Sequence, residues 1–77
     1  MSPLPHRAFG ANLAYERKRR ALSMTALAAL AGTHASEISR LERGLRDPRL
    51  STMVRIARAL EISLADLLRG VGGIAPR

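Results

Sequence analysis

Seventy-seven residues allow one domain with a single core, whose stability is marginal without a partner. One Phe, one Tyr and no Trp make that core aliphatic; the lack of Cys excludes a disulfide framework and a thiolate metal site, and no apolar run approaches the roughly 18 residues of a membrane span. Thirteen Lys and Arg against six Asp and Glu, a net charge of +7, call for a polyanionic partner: nucleic acid first, an anionic membrane surface second.

Residues 1–7 hold Pro3 and Pro5 without periodicity and read as a disordered arm. A first helix is expected over Ala8–Ala21, with Phe9, Leu13 and Arg17 on one face. Arg17–Arg20 followed by the apolar stretch to Ala31 loosely resembles a signal peptide, but Ser23, Thr25 and the helical phase of the apolar residues oppose that reading. The second helix spans Met24–Ala31, with Ser23 as N-cap, Ala26, Leu27, Leu30 and Ala31 as its stripe, and Gly32 after its end. The third spans Ala35–Arg43, capped by Thr33 or His34, with Ile38 and Leu41 inward and Gly44 closing it. A polar loop at 45–49 leads to a fourth helix from Leu50 or Ser51 to Leu60. A short fifth helix follows over Leu64–Arg69, with Ser63 and Asp66 as a capping box. Residues 70–77, rich in Gly, read as a flexible tail, which leaves 8–69 as the folded domain. Leu64, Leu67, Leu68, Val71 and Ile74 exceed what so small a core can bury. Leu64 and Leu68 are expected inward. Leu67 and Val71 lie nearer a second copy, and an interface drawn on Leu64, Leu67 and Val71 is expected.

Ala28, Gly32 and Ile38 have physical roles in a helix–turn–helix. The first must be small where two helices cross, the second lets the chain reverse, and the third fills the angle between the helices. With Leu22-Ser23, Leu27-Ala28, the block Ile38-Ser39-Arg40-Leu41-Glu42-Arg43-Gly44, Pro48, Ile56 to Leu60 and Ser63-Leu64, the chain resembles the phage-repressor/Cro-type (Xre-like) helix-turn-helix family over about residues 9–69. The resemblance implies an all-α, compact five-helix lambda-repressor-like fold that binds double-stranded DNA as a homodimer. It implies a third helix in the major groove, with Ala35, Ser36, Glu37 and Arg40 at or beside base edges. Arg40 is the strongest reader, able to bond both acceptors of guanine. Ser23, Met24 and Thr33 are then expected at the DNA backbone before and in the turn. His34, Ser39, Arg43 and Arg49 are expected there beyond it. Arg17 and Glu42 match a partly buried salt bridge between the first and third helices. Met24 stands where Gln is common, Ala26 where Glu is, His34 where Ser or Thr is, and Glu61 where Gly often ends the fourth helix.

No nucleophile–base pair, paired carboxylates or phosphate loop points to an enzyme. Two histidines without Cys make no metal site, and no cofactor is expected. The reading is a cytoplasmic, nucleoid-associated transcriptional regulator, a repressor or controller, on a pseudo-palindromic operator. The alternative is a protein-interaction module with the same fold. An antagonist protein is a further expected partner.

Overall fold

The computed structural model describes residues 4–72; residues 1–3 and 73–77, Ile74 among them, lie outside the described residues. The described residues form five helices and no strand: α1 Pro5–Arg19, α2 Met24–Ala31, α3 Ala35–Glu42, α4 Leu50–Ala59 and α5 Leu64–Leu67. α1 begins at Pro5 rather than Ala8, so Pro5, His6 and Arg7 belong to a helix and not to an arm. Proline at the first helical position has its φ preset and lacks only an amide that would have no partner anyway.

Four helices end alike. A residue at the cap or directly after it turns left-handed, and two amides reach back to carbonyls of the last turn. Gly32 (φ 70°) and Gly44 (φ 69°) do this where glycine is expected. Ala21 (φ 55°) and Glu61 (φ 58°) do it with a side chain. Behind Ala21, the Leu22 amide donates to Arg17 O at 3.2 Å. Ser23 and Ser63 cap α2 and α5, their hydroxyls accepting from the amides of Ala26 and Asp66, each at 3.0 Å. The Asp66 carboxylate does not complete a capping box; it accepts from Arg69 at 2.8 Å.

α2 packs on both α3 and α4, α1 on α3, and α5 on α4 and α1. The centre is aliphatic apart from Phe9: Leu13, Leu27, Ile38, Leu41, Ile56, Leu60 and Leu67 surround it, all buried. Leu30 departs from the expected stripe and is 63% exposed. The covered face of α2 is centred on Met24, Leu27, Ala28 and Ala31, and at 3.6 residues per turn Leu30 lies about 100° away. Leu67 also departs: it is fully buried within one copy of the chain and belongs to the core, not to a face open to a partner. α5 is a single turn held between α1 and α4. The Asn12 side chain donates to the carbonyls of Leu67 (2.9 Å) and Arg69 (2.8 Å), drawing that turn against α1. Leu64, Leu68 and Val71 are half-buried around it. Residues 70–72 therefore do not behave as a loose tail: Val71 packs on the core, and its amide bonds Leu68 O at 2.9 Å.

Candidate nucleic-acid interface

The α2–turn–α3 unit follows from short-range chemistry. Ser23 starts α2, and Gly32 reverses the chain with the Thr33 amide bonded to Ala28 O at 2.9 Å. Ala28, 3% exposed, lies under the crossing, where Ile38 and Leu41 of α3 are fully buried. Arg17 and Glu42 brace this unit from α1. The guanidinium spans both carboxylate oxygens, Nε to Oε2 and Nη2 to Oε1 (2.9 Å), and Nη1 donates to Leu22 O at 2.8 Å. Its hydrogen bonds to Glu42 raise Arg17 above its ordinary value; coulombic attraction adds to this and burial opposes it. The side chain therefore stays charged while holding α1, α3 and the α1–α2 connection together.

With Ile38 and Leu41 inward, helical geometry turns Ser36, Arg40 and Arg43 outward. These positions, i, i+4 and i+7, form one stripe, and all three are exposed. Ser39 borders the stripe and is half-buried. Ala35 and Glu37 are half-buried on opposite flanks of α3, each about 100° from Ser36. The four expected base-facing residues thus divide. Ser36 and Arg40 stand together, and Ala35 and Glu37 stand at the margins. Glu37 is occupied within the chain, paired at 3.3 Å with Arg46.

The expected backbone residues surround this stripe unevenly. Ser23 and His34 are exposed, Thr33 is half-buried, and Met24 is packed against the core. His34 precedes α3 without a side-chain cap. The first amides of α2 and α3 lie ahead of any intrahelical acceptor and are donors suited to an anion. Arg43 and Arg49 are exposed at the end of α3 and the start of α4, Arg43 leaning back on Ser39 O at 3.4 Å. Sequence reasoning missed Arg46 between them, although the spacing Arg43, Arg46, Arg49 marks a cationic loop. It also missed Arg7, whose aliphatic stem lies against Gly44. No group of three or more His, Asp or Glu among the described residues could hold a metal ion, and no described helix is long and apolar enough to cross a membrane.

A helix-turn-helix family model matches residues 13–67. Among solved structures, the restriction–modification controller protein C.AhdI from Aeromonas hydrophila is 34% identical; the match covers 80% of this chain and 94% of that one, with a TM-score of 0.79. The clp gene regulator ClgR from C. glutamicum is 29% identical, with 95% and 94% covered and a TM-score of 0.86. The P22 c2 repressor, solved with a synthetic operator, is 26% identical, with 90% and 98% covered and a TM-score of 0.76. No curated protein matches the chain at a significant level.

Proposed function

The chain belongs to the helix-turn-helix family of the Cro/C1 type, and from that membership we propose that it is a DNA-binding transcriptional regulator of the repressor type. Its partner is double-stranded DNA and its place the cytoplasm, at the nucleoid. A controller, a regulator and a repressor among its structural neighbours favour regulation over catalysis. The observation that carries the reading is the exposed Ser36–Arg40–Arg43 stripe, backed by Ile38 and Leu41 and presented by a Gly32 turn. In this reading α3 enters the major groove. Arg40 reads guanine, Ser36 makes a short permissive contact, and Ala35 offers a methyl group to thymine. Ser23 and Thr33 with the first amides of α2, that of Met24 among them, then His34, Ser39, Arg43 and Arg49, meet the phosphates on either side.

One recognition helix offers three or four side chains to the bases, too few to define an operator. We therefore propose a homodimer on a two-fold site, half-sites about one helical turn or roughly 34 Å apart. Its interface includes Leu64 and Val71, half-buried and adjacent to the α4–α5 side. The helix from Pro5 and the packing of Val71 support a folded unit wider at both ends than the expected 8–69.

Selection of bound duplexes from a random pool gives the operator, its symmetry and its spacing in one experiment. On that operator Arg40→Ala should cost about 1–3 kcal/mol and relax preference at one position per half-site. An unchanged ratio of cognate to scrambled binding would remove Arg40 from base reading, and selection that returns no consensus would overturn the regulator.

A further inference from the structure

A groove of about 540 Å³ runs between the C-terminal end of α2 and the outer face of α4, lined by Leu30, Gly32, Arg55, Arg58, Ala59 and Glu61. Leu30 supplies an apolar shelf, 63% exposed. Arg55 and Arg58, one turn apart on α4, are exposed beside it. Arg20, Arg46 and Arg69 each pair with a carboxylate of their own chain, whereas neither Arg55 nor Arg58 does so among the described residues. Glu61, three residues after Arg58, sits at the left-handed end of α4 and forms no ion pair with it. An exposed leucine beside two guanidinium groups that outnumber the one carboxylate of the lining, Glu61, is an arrangement that a ligand of opposite charge with an apolar side chain would complete.

We propose that this groove is the docking site for an acidic amphipathic segment of a partner protein. An apolar side chain of that segment covers Leu30, and carboxylates one helical turn apart pair with Arg55 and Arg58. Side chains three or four residues apart on a helix are neighbours, so a short helix carrying two such carboxylates matches the spacing of the two arginines. A phosphate backbone would use the arginines and leave Leu30 in water. The groove is also separated from the outward stripe of α3, because α2 packs between α3 and α4. The partner would therefore leave Ser36, Arg40 and Arg43 uncovered, while reaching Gly32 beside the Thr33 and His34 assigned to the phosphates. This goes beyond the DNA-binding reading and does not depend on it.

The test is a titration of the ¹⁵N-labelled full chain with a synthetic amphipathic peptide, leucines on one face flanked by glutamates, beside its lysine counterpart. Shifts clustering at Leu30, Gly32, Arg55, Arg58 and Ala59, with the glutamate peptide alone and weakening with salt, are expected. Leu30→Asp and Arg55→Glu, both at exposed positions, should each weaken the peptide about tenfold with helical content unchanged. Equal binding of the lysine peptide, shifts elsewhere, or a Leu30→Asp variant that binds like the parent would overturn the proposal. Duplex binding and sedimentation run in parallel. A salt slope lowered by about two units in Arg55→Glu/Arg58→Glu would give the arginines to phosphate and overturn it. A parent dimer that Leu30→Asp converts to monomers would give the groove to self-association and also overturn it. Peptide binding at the groove with no duplex binding would sustain it and defeat the regulator reading alone.

Discussion

At Gly10 the missing side chain is what lets α1 lie against the end of α3. A Cβ there would overlap Leu41 O and stand 2.7 Å from Glu42 O. Alanine gains about 0.5–1 kcal/mol over glycine inside a helix, but the obstacles are backbone carbonyls that cannot swing aside. Overpacking of about 1–3 kcal/mol or more should therefore win, and urea denaturation should find Gly10→Ala destabilised. At Ala21 the sign reverses. Its left-handed φ of 55° costs an alanine about 1–2 kcal/mol, more than the entropy glycine returns to the unfolded chain. Ala21→Gly should leave the midpoint unchanged or raise it. Arg17→Met leaves the Glu42 carboxylate, 6% exposed, and Leu22 O without their partner. Breaking such a pair costs about 3–5 kcal/mol, a large part of what a small domain has. Arg17→Met/Glu42→Leu should recover much of that loss, and chemical denaturation of the single and double variants measures both.

At the scale of elements, α3 divides its work by angle. Its inward face is apolar, its outward stripe polar, and its flank carries Glu37 paired to Arg46. A carboxylate there repels a polyanion and engages a cation that would otherwise face it. Glu37→Gln should therefore raise affinity for cognate and scrambled duplexes alike; a change confined to one base pair would restore Glu37 as a base reader. Arg43 and Arg49 close α3 and open α4. Neutralising either should lower the salt slope by about one unit per lost phosphate contact, without changing sequence preference. The periodicity of α3 made Ser36 and Arg40 legible from Ile38 and Leu41. The Glu37–Arg46 pair was not legible, because it depends on how the 45–49 loop folds back across the helix flank.

For the whole molecule, the question is how a core of this size accommodates a row of aliphatic residues at its end. Leu67 is enclosed within one copy, so Leu67→Ala should unfold rather than dissociate, at about 2–5 kcal/mol. Val71 is half-buried beside an apolar groove shared with Phe9, Met53 and Leu68. Val71→Glu should keep the helical content and yield monomers in sedimentation. Operator binding should then fall sharply, while weak, salt-sensitive duplex binding persists through the +7 charge. A parent that is monomeric at high micromolar concentration, yet occupies its full site tightly without cooperativity, would end the dimer proposal.

The sequence by itself determined that there are five helices and their order, though not the start of α1 at Pro5 or the end of α5 at Leu67, together with the Ser23 and Ser63 caps, the Gly32 and Gly44 reversals and the polar face of α3. Each depends on hydrogen bonds or periodicity within a few residues, where one stretch of chain contains the whole interaction. Only the tertiary structure decided which neighbour each helix flank meets. It buried Leu67 and left Leu30 in water, although both are leucines on amphipathic helices. It also required glycine at position 10, a need that nothing local to α1 announces. Those outcomes depend on the angle and distance at which distant segments cross, and a difference of one residue in phase, about 100° around the helix, moves a side chain from the core to the surface.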